Sequence, residues 1–172
     1  MAFDAYLQIG TVPGESADKQ FGGSAGWIDV ISFTYGVTQS GSASSQGGLS
    51  AGKSNFQDFT FTQKVHFGSP EMFLTCANGK VHKNAHFVCR KAGETPQVYL
   101  QIKMEQVMIT SVTTQGAGGP DEIPTETVSM TAEKLAVWYG QQDENNKIKA
   151  DKATGWDQKK NEQWNGHGLK KF

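Results

Sequence analysis

Four residues in a glycine-rich stretch have the types and spacing of a phosphate-binding loop. At the fixed positions of the pattern G-x-x-x-x-G-K-[ST] stand Gly47, Gly52, Lys53 and Ser54. Such a loop binds phosphate because a strand leads into it and a helix N-terminus follows it. Here residues 40–46 are small and polar, and residues 59–65 alternate with the period of a strand. The context therefore favours a flexible glycine-serine loop over a nucleotide site.

Two cysteines and two histidines form a second group that could do chemistry. Within fourteen residues the chain carries Cys76, His82, His86 and Cys89. Their spacing matches no common zinc framework. On a strand, His86 and Cys89 would also point to opposite faces of the sheet. We expect no metal and no cofactor here, and two unpaired thiols rather than a disulfide.

Nucleophilic catalysis finds little support in the sequence. Cys76 falls inside a predicted helix, where nothing lowers its pKa, and the chain has no G-x-S-x-G motif. Glu71, Glu105 and Glu133 belong to separate predicted elements, although a pair of carboxylates that meets only in space stays open. An interaction protein is therefore favoured over an enzyme.

Composition limits the class of partner. The chain has 172 residues, enough for one domain, and a net charge of −1, which gives no basic surface for nucleic acid or an anionic membrane. Its 20 glycines suit a loop-rich β protein. Asp4 stands where a signal peptide would be basic, so we expect folding in the cytoplasm.

Period-two alternation predicts a mainly β fold with one short helix. The alternating segments are residues 6–9, 27–37, 59–65, 85–90, 98–113 and 127–139. The apolar residues change from even-numbered to odd-numbered positions near Glu105, and they do so again near Glu133. This change predicts bulges or bends in two long strands of a sheet that wraps towards a barrel. A hairpin through Asn145 and Asn146 should lead to a last strand near Trp156.

The predicted helix runs from Ser69 to Gly79. Serine suits the N-cap, Pro70 the first turn and glycine the left-handed position after the helix. Phe73, Cys76 and Ala77 share one face, which we expect to pack on the sheet.

A long polar segment from Gln39 to about Asn55 has Leu49 as its only large apolar residue. It predicts an extended loop, and connections of that length are usually functional or mobile. Such a loop can lay its backbone along another subunit, whose groups satisfy its amides.

Six stretches follow one another in the chain: "MAFDAYLQIGTVPGESADK", "FTYGVTQSGSASSQGG", "AGKSNFQDFTFTQKV", "SPEMFLTCANGK", "FVCRKAG" and "VYLQIKMEQVMITSV". This collinear series resembles the hemolysin-coregulated protein (Hcp) family of bacterial type VI secretion systems. The resemblance covers residues 1–156, which would form the tube domain, and leaves residues 157–172 as a polar C-terminal tail.

The resemblance implies a β-barrel of two packed antiparallel sheets with one flanking helix and a long extended loop. It also implies a homohexameric ring, stacking of rings into a tube, propulsion by a contracting sheath of sheath proteins, a VgrG-type spike at the tip, and small effector proteins in the lumen. Such a subunit assembles in the bacterial cytoplasm and is then secreted without a signal peptide. The family brings no catalytic residue, no nucleic-acid partner and no membrane insertion.

The alternation of side chains along the strands and the resemblance together assign two sets of residues to surfaces of the assembly. The extended loop that contacts a neighbouring subunit would include Gly41, Gly47, Gly48, Leu49, Gly52, Lys53 and Asn55. The face opposite Phe33 and Tyr35 would line the lumen with Ser32, Thr34 and Gly36.

Two other functions fit parts of the sequence. A phage-like tail tube protein would obey the same polymer physics, and a P-loop nucleotide-binding protein would use residues 47–54.

Overall fold

The computed structural model describes residues 3–23, 26–43, 49–91, 96–116, 118–119, 123–145, 147–166 and 169. In chain order its elements are β1 (Phe3–Ile9), β2 (Ile28–Val30), β3 (Ser32–Ala43), β4 (Leu49–Lys64), α1 (Ser69–Asn78), β5 (Val81–Lys91), β6 (Val98–Gln115), β7 (Thr125–Gln142), β8 (Ile148–Asp157) and β9 (Glu162–Gln163). The predicted mainly β class with one short helix is confirmed.

The strands form one antiparallel sheet that curls strongly. Its order is β2-β1-β5-β6-β7-β4-β3, with β8 paired to the second half of β7 and β9 paired to β8. Strands β2 and β3 lie at opposite ends of this order, yet only Ile31 separates them in the chain. The Ile31 amide donates to the Thr62 carbonyl of β4 at 2.8 Å. The sheet must therefore curl, which brings its two end strands close together at Ile31.

Apolar side chains fill both sides of the sheet. The main core lies inside the curl and includes Phe59, Phe61 and Phe87, all almost fully buried. A second, smaller cluster lies on the other side, where Phe21 and Trp138 are buried under the connection between β1 and β2. Only the inner face is apolar along the whole sheet.

The predicted reversal of parity is confirmed, and it crosses three neighbouring strands at one level. On each strand, two residues instead of one separate successive inward-facing side chains. These inward-facing pairs are His82 and Ala85, Met104 and Val107, and Ala132 and Leu135. Glu105 lies opposite both Asn84 and Lys134, so the reversal occurs at matching positions on β5, β6 and β7.

A left-handed backbone, rather than a bulge, marks this level on β6. Gln106 has a φ of 53°, a conformation that costs a non-glycine residue free energy. The register shift between β6 and β7 comes further along, between Ile109 and Ser111.

The helix ends where the sequence predicts, but it begins differently. Gly79 takes a left-handed φ of 66° after the last turn. The N-cap is Gly68 rather than Ser69. The Ser69 hydroxyl instead accepts the His66 amide at 3.0 Å, in the turn that precedes the helix.

The buried face of the helix also differs from the expectation. Met72 and Thr75 are buried and Cys76 is half-buried against the main core, while Ala77 is exposed and Phe73 is 67% exposed. The predicted face was wrong because it was chosen around the large apolar Phe73, whereas the face that packs on the sheet is centred on Met72 and Thr75.

A buried arginine holds the connection between β1 and β2 on the sheet. Arg90 of β5 donates to both carboxylate oxygens of Asp18, to Asp4 Oδ2 at 3.3 Å and to the Tyr6 hydroxyl at 2.8 Å. The Ser16 hydroxyl donates to Asp29 Oδ1 at 2.7 Å. These contacts fix Ser16 and Asp18 against β1, β2 and β5.

The C-terminal part packs on β7 and β8. Asp143 caps the predicted turn by accepting the amides of Asn145 and Lys147, each at 2.9 Å. Farther along, Trp164 is 8% exposed and its amide donates to the Gly155 carbonyl at 2.9 Å. Residues 157–164 therefore contribute to the folded unit.

Candidate functional site

The residues of the phosphate-loop pattern lie in a strand. Gly52, Lys53 and Ser54 belong to β4, paired with β3, and no helix follows them before Ser69 within the described residues. Gly47 lies outside the described residues. Without a helix N-terminus beside Lys53, the geometry that concentrates amides on a phosphate is missing.

Strands β3 and β4 extend beyond the rest of the sheet as a two-stranded arm, defined here as residues 36–43 and 49–57. Pairing of β4 with β7 stops at Phe59, which lies opposite Met130. Pairing of β3 with β4 continues to Ala43, which lies opposite Leu49. Most of the segment predicted as a loop is therefore strand. Hydrogen bonds between β3 and β4 stabilise it, although its sequence lacks the apolar alternation that is typical of a strand.

The arm carries most of the predicted contact residues. Gly41, Gly52, Lys53 and Asn55 lie on it and are exposed, and Leu49 begins its second strand. Gly47 and Gly48 lie outside the described residues. The Gln39 side chain donates to the Gly52 carbonyl at 2.5 Å, and Thr38 donates to the Asn55 carbonyl at 3.3 Å.

An isolated two-stranded ribbon is marginally stable in water. Along residues 49–57, the edge of β4 that faces β7 elsewhere has no partner strand within the described residues. The arm therefore presents unpaired backbone groups to whatever lies beside it.

A cavity of about 680 Å³ separates the arm from β7 and β8. Its apolar walls include Val37, Phe56, Leu135 and Trp156. The Ser54 hydroxyl and the Trp156 Nε1 are buried with no hydrogen-bond partner within the described residues. Apolar walls and unpaired buried polar atoms are features of a surface that a further chain segment completes.

Four strands carry the same triplet, a hydroxyl residue on each side of an apolar one. The triplets are Ser32-Phe33-Thr34, Thr60-Phe61-Thr62, Ser111-Val112-Thr113 and Thr127-Val128-Ser129. Because neighbouring side chains on a strand alternate between faces, the apolar member points inward and the two hydroxyl residues point outward.

The strand register aligns these triplets into two rows. One row crosses β3, β4, β7 and β6 through Thr34, Thr60, Ser129 and Ser111. The next row runs through Ser32, Thr62, Thr127 and Thr113. With neighbouring strands about 4.8 Å apart, the rows span roughly 14 Å. We call these eight residues the hydroxyl face.

The hydroxyl face is open to solvent and carries no formal charge. Its eight residues are exposed or half-buried. Thr60 and Ser129 are hydrogen-bonded through their side-chain oxygens at 2.9 Å. Charged side chains begin at its margins, where Asp58 accepts a hydrogen bond from Thr110 at 2.6 Å.

Two of the three residues predicted to face the lumen lie on the hydroxyl face. Ser32 and Thr34 are exposed opposite the half-buried Phe33 and Tyr35. Gly36 lies beside them where the arm begins, and a Cβ there would meet Gln57 Oε1 at 2.5 Å. The other six members were missed, although the repeated triplet was a usable signal.

The cysteines and histidines are spread over both sides of the sheet. Cys89 belongs to the main core, while His86 contacts Trp27 and bonds to Gln101 on the other side. In the part of the chain that is described, no group of three or more His, Cys, Asp or Glu residues could hold a metal ion. Cys76 and Cys89 are free thiols.

The three carboxylates considered for acid-base chemistry each pair with a lysine. Glu71 pairs with Lys80 and Glu105 with Lys134, each at 3.4 Å. Glu133 lies 3.9 Å from Lys159. Their surroundings resemble ordinary surface ion pairs, which contribute little free energy.

Comparison with known proteins decides the family. Residues 6–139 match the family model described as "Type VI secretion system effector, Hcp". The chain is also 38% identical to protein hcp1 of Pseudomonas aeruginosa over 140 residues, which cover 81% of this chain and 84% of that protein. The chain belongs to the Hcp family.

Solved Hcp structures share the fold. Hcp1 from Salmonella typhimurium is 26% identical with a TM-score of 0.78, and the match covers 95% of this Hcp chain and 100% of that one. A type VI secretion system effector from Yersinia pestis is 28% identical with a TM-score of 0.71, covering 90% and 99% of the two chains. Among the helices described for this Hcp protein, none is long and apolar enough to span a bilayer.

Proposed function

We propose that this Hcp protein is a structural subunit of the inner tube of a type VI secretion system. Six copies form a ring, rings stack into a tube, and the tube carries small effector proteins in its lumen. Sheath proteins surround the tube and a VgrG-type spike sits at its tip. The subunit is made in the bacterial cytoplasm and leaves the cell with the tube, and it performs no catalysis.

The hydroxyl face is the observation that carries this proposal. An exposed sheet face of eight Ser and Thr residues suits the wall of a water-filled channel. Hydroxyl groups bind water well, and a wall without charge holds no cargo by ion pairing. Scattered charges would instead attract some effectors and repel others.

The arm supports the self-assembly that a tube requires. Its edge has unpaired backbone groups, and the cavity beside it is apolar. A head-to-tail contact between unlike surfaces closes into a ring when the rotation from one subunit to the next divides a full circle evenly. In such a ring each arm can be covered by the next copy.

Cysteine labelling tests whether the hydroxyl face lines an enclosed channel. The variant Thr127→Cys is made in a Cys76→Ser background, since Cys89 is buried. In assembled protein, a bulky polyethylene-glycol maleimide should react much more slowly with Cys at position 127 than in dilute protein. A small maleimide should react at similar rates in both.

The matched control is Lys19→Cys in the same background. Lys19 is exposed on the connection between β1 and β2, away from the hydroxyl face. Its reaction with the bulky reagent should change little on assembly. Equal accessibility of positions 19 and 127 to the bulky reagent in assembled protein would refute the placement of the hydroxyl face in a channel.

A further inference from the structure

The arm carries a single charge. Between Ser32 and Gln57 the only charged residue in the sequence is Lys53. Its side chain is exposed, and no ion pair joins it to another described residue. A surface that receives the arm therefore needs one site for a cation.

A cavity with carboxylates lies at the opposite end of β4. It has a volume of about 360 Å³, and its polar lining includes Glu15, Asp29, Lys64 and His66. Glu15 and Asp29 are exposed, and the Ser16 hydroxyl already donates to Asp29 Oδ1. A carboxylate has several acceptor positions, so Asp29 can still bind a cation.

The local charge of this cavity favours a cation. Two carboxylates outweigh the one ammonium of Lys64. Burial lowers the pKa of His66 below its usual value, and the opposing effect of Glu15, Glu126 and Asp29 is smaller. The imidazole is therefore mainly neutral at pH 7. The apolar side chains of Ile31 and Ile123 also line the cavity, where they can contact the methylene stem of a lysine.

The cavity also offers a hydrogen-bond donor to an incoming backbone. His66 Nδ1 accepts the Gly68 amide at 3.0 Å, which leaves the hydrogen of the neutral ring on Nε2. That Nε2 is buried and has no partner within the described residues. A carbonyl oxygen of an entering strand would satisfy it.

One copy cannot fill its own cavity. Lys53 and Lys64 are eleven residues apart in the continuous strand β4, which is about 36 Å of extended chain. The two ends of β4 therefore point away from each other. In a head-to-tail stack whose axis runs along β4, the arm end of one copy would meet the cavity end of the next.

We propose that Lys53 of one copy docks in this cavity of a second, stacked copy, where its ammonium pairs with Glu15 and Asp29. This contact rests on the proposed function, since it needs rings that stack. Lys53 has no ion-pair partner among the described residues of its own copy, so the contact would favour the head-to-tail orientation over the reverse one.

Charge reversal tests the pairing. The variants Lys53→Glu and Glu15→Lys should each keep closed rings and lose stacking, and the double variant should recover it. An exposed ion pair changes affinity about threefold, which six parallel contacts multiply to several hundredfold. Sedimentation velocity measures the loss, and negative-stain microscopy separates single rings from stacks.

The control is Lys149→Glu, which changes an exposed lysine of β8 outside the arm. It should stack as the unaltered protein does. The milder variant Lys53→Gln covers the case in which a reversed charge disturbs the arm itself, and it should weaken stacking less than Lys53→Glu.

The outcomes separate this contact from the tube proposal. Rings that stack normally with Lys53→Glu and with Lys53→Gln would overturn the Lys53 contact alone. A double variant that folds and forms rings but fails to stack would overturn it as well. Unaltered protein that forms no rings at all would overturn both proposals.

Discussion

Replacing Arg90 with leucine is expected to lower the free energy of unfolding by about 3–5 kcal/mol, the cost of breaking a buried ion pair. The Arg90 side chain is 9% exposed and its Asp18 partner 16%. Without the guanidinium, the Asp18 carboxylate and the Tyr6 hydroxyl lose their shared donor. Urea unfolding measures the change.

The control for this variant is Lys80→Met. Lys80 pairs with Glu71 at 3.4 Å, but both side chains are more than a third exposed. Its loss should cost about 0–1 kcal/mol. If Arg90→Leu lowered the free energy of unfolding no more than Lys80→Met does, the Arg90 contacts would not be what holds Asp18 in place.

The same cluster gives the stability of the unaltered protein a dependence on acid pH. Burial would raise the pKa of Asp18, but the Arg90 hydrogen bond and the amides of Gln20 and Phe21 lower it to about 2, below the usual 3.8. A lowered folded-state pKa stabilises the fold fully above pH 4, and the stabilisation disappears as the pH falls towards 2. The lowered pKa of Asp18 corresponds to about 2 kcal/mol in the free energy of unfolding. This loss of stability in acid should be smaller in Arg90→Leu.

Shortening the arm is expected to abolish assembly while the subunit stays folded. The variant replaces residues 40–53 with Asn-Gly, a pair that favours a two-residue hairpin turn between Gln39 and Ser54. The remaining pairs between β3 and β4 are kept, so the core is untouched. Sedimentation velocity should show monomers at concentrations where the unaltered protein assembles.

The matched control shortens a different hairpin. Replacing residues 144–146 with Asn-Gly changes the turn between β7 and β8 and leaves the arm intact. This variant should assemble. Rings formed by the arm-shortened variant as readily as by the control would contradict the role given to the arm.

Local signals in the sequence were enough to predict single elements. Pro70 and Gly79 located the helix, and the parity change near Glu105 located the left-handed Gln106. These features depend on a few neighbouring residues, which a single sequence displays. The same reversal on β5 was missed, because too few apolar residues precede Ala85 to establish a parity.

Features that depend on strand register were mostly beyond the sequence. The hydroxyl face exists because Thr62 lies opposite both Ser32 and Thr127, which are far apart in the chain. The Arg90 cluster likewise joins residues from three separate segments. The sequence predicted a loop for the arm because two polar strands that pair with each other show no alternation of apolar and polar residues.

Electron microscopy of the purified, unaltered protein shows whether the subunit closes into a ring. We expect closed rings with six-fold symmetry and, at higher concentration, stacks of rings around an open channel. Particles the size of one chain at every concentration, with the arm still exposed, would contradict this expectation.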